Sequence, residues 1–275
     1  MNATRLAELP IWRGHPEVSR LQAGRTNENF LIRDLDRRYF GRVGNDVPEH
    51  GISRGAERRC HTLAAEAGIA PRIVFAEGGL LVVEYVDGAT LDITAGHARD
   101  HVAAIAAMLR RLHALSAPET VPAFCPVMAC HRSLAILDDA ELPFPRRCLL
   151  AQLARLPRRA ARCLVHGDLI PENFIAAADR LMLVDWEYAG GGVPEIDLAI
   201  LFANFAWSAA EIASFLDRYG AADRNLIARY RIAAVMREAL WCRVQARLSP
   251  HAPDLPDYTR MCERRLAEFM AETTP

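Results

Sequence analysis

The sequence contains no lysine, so all 33 of its Lys-plus-Arg positions are arginines. Any phosphate or carboxylate gripped by a basic side chain must therefore meet a guanidinium, which stays charged and binds through a planar fork. Long apolar runs are also missing: none approaches the roughly 20 residues of a membrane-spanning helix. The opening MNATRLAELPIWRGHPE lacks the apolar centre of a secretory leader. A net charge of −1, with acids and bases interspersed, excludes the basic footprint of a nucleic-acid binder. Seven cysteines at irregular spacing form neither a disulfide framework nor a zinc motif, so the expected setting is reducing and cytoplasmic. What is there is a globular composition, 51% hydrophobic and 24% charged over 275 residues, long enough for one large domain or two lobes with a sizeable core.

The informative stretch is Leu164–Glu187, LVHGDLIPENFIAAADRLMLVDWE. An apolar run (Cys163–Val165) leads into His166-Gly167-Asp168, and Asn173 follows five residues after the aspartate. A short strand at Phe174-Ile175, a polar turn at Ala178–Arg180 and an apolar strand at Leu181–Val184 end in Asp185. A hairpin brings its entry and exit together, which places Asp168, Asn173 and Asp185 in one small volume. One carboxylate there can act as a base, and an amide oxygen with a second carboxylate can hold a hard divalent cation. Phosphoryl transfer calls for these parts in this order. Taken singly, His166 and Asp168 read equally well as turn caps, and Asp185 as a strand end.

The pattern HGD-x4-N followed by Asp185-Trp186-Glu187 resembles the kinase-like aminoglycoside phosphotransferases and choline/ethanolamine kinases. The run Asp185–Gly190, with Pro194 and Asp197-Leu198-Ala199 after it, is most similar to the bacterial choline kinase branch. The resemblance implies an α+β, two-lobed protein-kinase-like fold. An N-lobe over residues 1–87 would hold an antiparallel sheet and one helix, and a mainly helical C-lobe over 88–275 would hold the catalytic hairpin. It implies Asp168 as the base or orienter of the acceptor hydroxyl, Asn173 and Asp185 as Mg²⁺ ligands, and ATP as co-substrate. His166 would scaffold the loop, and Asp197 would buttress it or simply cap a helix.

In chain order, Leu21–Ile32 reads as strand, polar turn, strand, with Tyr39–Val43 a third strand. The turn at Gly24–Asn27 stands where the family's nucleotide loop stands. It lacks GxGxxG, leaving Thr26 and Asn27 as donors, and an ordinary hairpin turn reads as well. Arg42 takes the place of the phosphate-binding lysine, with Glu57 on the helix from Ser53 as its partner. Gly68 and Pro71 stop that helix. Strands Ile73–Glu77 and Leu80–Val86 flank Gly78-Gly79, and Asp87–Ala89 is a turn. The backbone of Glu84–Val86 would meet the adenine edge. Helical periodicity runs from Thr94 to Leu115, with His113 a packed structural histidine. Shorter helices follow near 131–140 and 149–156. Gly190–Gly192 connects to helices from Pro194, over Ser208–Tyr219, Asp223–Gln245 and Asp257–Glu272. Glu238, Trp241 and Gln245 share one face of the third.

The resemblance implies a phosphotransferase acting on the hydroxyl of a small amino alcohol, choline or ethanolamine first. A quaternary ammonium needs aromatic faces and carboxylates, for which Glu187, Tyr188, Trp207 and Trp241 are the candidates. Asn204 stands near where eukaryotic choline kinases carry an acid. The alternatives are another small alcohol (an aminoglycoside, a thiamine-like compound or a sugar) or a nucleotide-binding pseudokinase.

Overall fold

Alternating apolar and polar residues in the first third of the chain fold as strands. The computed structural model describes residues 2–21, 27–92, 101–157, 160, 163–178, 180–249, 252 and 254–273. A short helix α1 (Asn2–Ala7) precedes β1 (Glu17–Leu21), β2 (Glu28–Asp34) and β3 (Arg37–Val43), and α2 (Arg54–Glu66) leads to β4 (Ile73–Glu77) and β5 (Leu80–Glu84). The five strands form one antiparallel sheet in the order β1-β2-β3-β5-β4. Phe30 and Ile32 of β2 and Tyr39 and Val43 of β3 point to the same side, as the two-residue period of a strand requires. With Leu80 and Val82 they form a small core closed by Leu6 of α1. Gly68, at φ +67°, ends α2 in the left-handed conformation that glycine adopts without strain.

Beyond the sheet come β6 (Gly88–Thr90), α3 (Val102–His113), α4 (Pro126–Ile136), a 3-10 turn at Asp139–Glu141 and α5 (Arg146–Ala154). The central hairpin follows as β7 (Cys163–Val165), a 3-10 turn at Pro171–Asn173, β8 (Phe174–Ala177), β9 (Leu181–Leu183) and β10 (Gly190–Gly192). Four helices complete the chain: α6 (Pro194–Asn204), α7 (Ala209–Tyr219), α8 (Arg224–Leu248) and α9 (Leu255–Thr273). Helix α8 packs against α4, α6 and α9. That is why apolar residues from Leu226 to Val244 are buried on most of its sides and its polar residues are few enough to be conspicuous. Among the described residues no helix is long and apolar enough to cross a membrane.

Three local readings change. The turn expected at Asp87–Ala89 includes β6, which pairs antiparallel with β8 and widens the hairpin to three strands. Gly190–Gly192, expected as a connection, is strand β10, paired with β7. Glycine strands carry no side-chain pattern, and here the missing side chain is the point: a Cβ on Gly190 would lie 2.6 Å from the Pro122 carbonyl oxygen. The helix expected near 131–140 starts earlier, with Pro126 in its first turn, a position where proline loses no helical hydrogen bond. Of the helix expected from Thr94, residues 93–100 lie outside the described residues and α3 supplies the remainder.

Candidate active site

The loop between β7 and β8 is held from below by one buried carboxylate. Asp197, in the first turn of α6, accepts the N–H groups of His166 and Gly167, each at 2.8 Å. His113 of α3 donates its Nε2–H to the same carboxylate at 3.1 Å, and its Nδ1 accepts from the Tyr219 hydroxyl at 2.8 Å. Burial works to raise the Asp197 carboxyl, but His113 and the loop N–H groups hold it below the usual carboxylate range. Asp197 thus contacts the loop directly, and His113 is hydrogen-bonded to the same carboxylate.

Gly167 takes φ +79°, and a Cβ there would stand 2.7 Å from the Tyr188 carbonyl oxygen, so both conformation and space require glycine. His166 is fully buried. Its Nε2–H donates to the Val184 carbonyl at 3.0 Å, its Nδ1 accepts the Asp168 N–H at 3.3 Å, and its ring edge meets Trp186. Burial lowers its pKa, and both ring nitrogens are engaged as in a neutral imidazole. These contacts tie His166 to Val184 and to the backbone of Asp168.

Asp168 therefore projects from a rigid base. Asn173 Nδ2 donates to its carbonyl oxygen at 2.9 Å and to its carboxylate at 3.2 Å, which turns the amide oxygen of Asn173 the other way. Arg237 of α8 donates to the Asp168 carboxylate at 3.2 Å and to the Gly167 carbonyl at 2.6 Å. Asp185, after β9, sits at φ +64°, a left-handed conformation that aspartate tolerates better than most residues. Its side chain is exposed to the cleft although protein surrounds the site. That enclosure, then the Glu187 carboxylate, push its carboxyl well above the ordinary range.

Across the cleft, Arg42 of β3 pairs with Glu57 of α2 through two hydrogen bonds, the second at 2.7 Å, and both residues are buried. Burial works to lower the Arg42 pKa, and the carboxylate of Glu57 overcomes it. Arg54, one turn before Glu57, donates to Glu57 and to Glu187 at 2.9 Å each and to the Asn27 amide oxygen at 2.6 Å. Asn27 in turn donates to Glu187 at 3.0 Å. Three arginines (42, 54, 237) thus face four carboxylates (57, 168, 185, 187). The excess acid lies at Asp185, whose carboxylate with the Asn173 amide oxygen makes an all-oxygen donor pair suited to a hard divalent cation. The residues present fit Mg²⁺, which would neutralise phosphate charge there.

Not every expected residue joins this group. Thr26 lies outside the described residues. Glu84 turns its side chain outward to Arg72 at 2.7 Å, and its N–H donates to the Arg72 carbonyl. With Val86 it borders a cavity of about 420 Å³ that Pro71 and Met182 also line. Trp207 is not brought to Asp168. It packs among Phe202, Phe205 and Phe215, where its apolar area stabilises the α6–α7 corner. Asn204 accepts from Arg265 at 3.1 Å. Trp241 does reach the site, donating its indole N–H to the Tyr188 hydroxyl at 2.8 Å. The face expected to unite Glu238, Trp241 and Gln245 divides: Glu238 turns to Tyr258 and Arg265 of α9, while Trp241 and Gln245 line up with Arg237. Sequence reasoning passed over Arg54, Arg237 and His50. Spacing alone could have found the first two, three residues before Glu57 and four before Trp241. His50 meets Gln245 across 195 residues and leaves no local signal.

A profile of the phosphotransferase enzyme family matches residues 17–238. The chain belongs to that family. Among solved members of the kinase-like fold, the choline kinase LicA from Streptococcus pneumoniae superposes with TM-score 0.77 at 25% identity, covering 92% of this chain and 93% of that one. Protein LicA of Haemophilus influenzae is 43% identical over 51 residues, 18% of this chain and 19% of that protein. A thiamine kinase of Salmonella newport is 31% identical over 140 residues, 50% of this chain and 48% of that enzyme. The chain spans less than half the length of these two curated relatives. The sheet with α2 followed by a larger helical region is the architecture of this phosphotransferase family, as the HGD-x4-N and DWE motifs implied.

Proposed function

We propose that this phosphotransferase moves the γ-phosphoryl group of ATP, with Mg²⁺, onto the hydroxyl of a small amino alcohol of the choline and ethanolamine class. The observation that carries the reading is the convergence of Asp168 and Asn173, which are hydrogen-bonded, with Asp185, which interacts electrostatically with Asp168 and with the Arg42–Glu57 pair. Asp168 stands on a loop braced by Asp197 and has the chemistry to orient the acceptor hydroxyl and take its proton. Arg42, held by Glu57, has the charge to steady nucleotide phosphates. Mg²⁺ on Asp185 and Asn173 would offset the charge of the transferred group. Asn27 and Val86 are proposed nucleotide contacts, and Glu187 and Tyr188 line the acceptor side.

The similarity to LicA over nearly the whole chain supports an amino alcohol as acceptor. Similarity to a thiamine kinase over half the chain favours a second reading, in which a thiamine-like alcohol takes its place. The test is Mg²⁺-dependent ADP release from ATP across choline, ethanolamine, thiamine, kanamycin and simple sugars. Stimulation by an amino alcohol supports the first reading, and stimulation by thiamine alone the second. Nucleotide binding without ADP release for any acceptor would count against both.

A further inference from the structure

Helix α8 presents Arg237, Trp241 and Gln245 at intervals of four, on one face directed at the catalytic loop. The aromatic groups that a cationic acceptor would need are already arranged around the first of these. The Arg237 guanidinium lies 4.5 Å from the centre of the Tyr188 ring and 5.3 Å from that of Phe124. It is buried, at 8% exposure, and bonded to the Gly167 carbonyl and the Asp168 carboxylate. Tyr188 is held in place by the Trp241 indole N–H. One face of Trp241 is covered by the His50 ring, stacked at 5.1 Å and 25°, and His50 donates to Gln245 at 2.8 Å. Its edge meets Tyr258. The nearby carboxylates are engaged too: Glu187 with Arg54 and Asn27, and Glu238 with Arg265 and Tyr258.

A quaternary ammonium has no N–H donor and binds by placing its charge over desolvated aromatic faces. Here such a box exists, and the chain fills it with its own cation. A quaternary ammonium beside Asp168 needs that box, so it would have to displace the guanidinium or share the box with it, and like charges in a partly dry site repel. Ethanolamine carries the same charge, but its N–H groups can be held by oxygen acceptors away from the box. We infer that Arg237 is an acceptor-selecting residue: a built-in occupant of the aromatic box that turns away quaternary ammonium alcohols such as choline and leaves the site to alcohols recognised through N–H and O–H hydrogen bonds, ethanolamine among the amino alcohols. The inference rests on the phosphotransferase reading for the role of Asp168, and it narrows the acceptor class.

Two measurements test it, and the first needs no turnover. Tetramethylammonium binding is measured by calorimetry on the wild-type protein, on Arg237→Ala and on Arg237→Lys. The wild type and Arg237→Lys are expected to show no binding, whereas Arg237→Ala gains it, roughly ten- to thirtyfold above the wild-type limit, as a vacated cation–π box predicts. A residue that merely braced Asp168 would produce no such gain. The second compares choline with ethanolamine as acceptors for the wild-type enzyme, with kcat/KM for choline expected at least about tenfold lower. Tight tetramethylammonium binding by the wild type, or choline turned over as well as ethanolamine, would overturn the inference. So would a folded Arg237→Ala protein that gains no binding. If Arg237→Ala does not fold, choline binding and turnover by the wild type decide alone. Failure of every acceptor in the ADP assay, with the tetramethylammonium gain intact, would sink the functional proposal and leave the filled box standing.

Discussion

Asp168 is fixed on three sides, by Asn173, by Arg237 and by the loop that Asp197 anchors. Its carboxylate is therefore preorganised, and its removal should affect chemistry more than binding. Asp168→Asn is expected to lower kcat by about 10²–10⁴-fold while leaving the Kd for Mg-nucleotide unchanged, as read by steady-state assay and calorimetry. A kcat equal to that of the wild type would remove Asp168 from its role. A second residue-level prediction concerns acid stability. His61 of α2 is 3% exposed and donates Nε2–H to the Pro71 carbonyl at 2.8 Å, while its buried Nδ1 has no partner. Burial pushes its pKa down to about 4 from 6.5. The unfolded chain therefore takes up the proton first, so this contribution is complete above pH of about 6.5 and is lost as pH falls toward 4, reaching roughly 3 kcal/mol. His61→Gln keeps a donor for Pro71 and cannot be protonated. Urea unfolding at a series of pH values should show a shallower acid slope for it.

At the scale of elements, α2 does two things at once. It packs Ala56, Cys60 and Ala64 into the large core shared with the helical region, and it delivers Glu57 to Arg42. Glu57→Gln leaves a buried guanidinium without its anion, a loss of about 3–5 kcal/mol for a broken buried pair. The expected signature is a lower urea midpoint together with a raised KM for ATP. A fall in stability with KM unchanged would make the pair purely structural. Helix α7 offers a contrast far from Asp168. Ser208 caps it by accepting the Glu211 N–H, and the Glu211 carboxylate accepts the Ser208 N–H in return. Ser208→Ala should cost about 1 kcal/mol of stability and leave kcat untouched.

For the molecule as a whole, the informative contact is Glu187. It lies two residues after Asp185 yet binds Arg54 of α2 and Asn27 before β2, joining the sheet region to the hairpin. Hydrogen bonds to charged groups are worth more than neutral ones. Glu187→Gln should therefore speed amide exchange around residues 45–57 by about tenfold, with the β2–β3 amides unaffected. Mass-spectrometric exchange would show whether that link holds the start of α2.

Much of this was legible in the chain alone. Strands β2 to β5, α2 with its glycine stop, the hairpin and the last four helices follow from periodicity, capping and turn residues, which act over a few neighbours, whereas β1 ends at Leu21, where the first strand was expected to begin. The loop of the candidate site was legible for the same reason: Asp168, Asn173 and Asp185 are brought together by one short hairpin, so local order dictates their meeting. The pairing of Gly190–Gly192 with β7 was not legible, because a glycine strand has no side-chain alternation to read. Nor was the acceptor side. Glu187, Tyr188 and Trp241 were sound candidates as residue types, but whether an aromatic face or a carboxylate is open to a ligand depends on which distant side chain already covers it. Arg237 over Tyr188, His50 over Trp241 and Arg54 on Glu187 are meetings between segments far apart in sequence. Their partners are chosen by how α8 and α2 pack, and only the tertiary structure decided them.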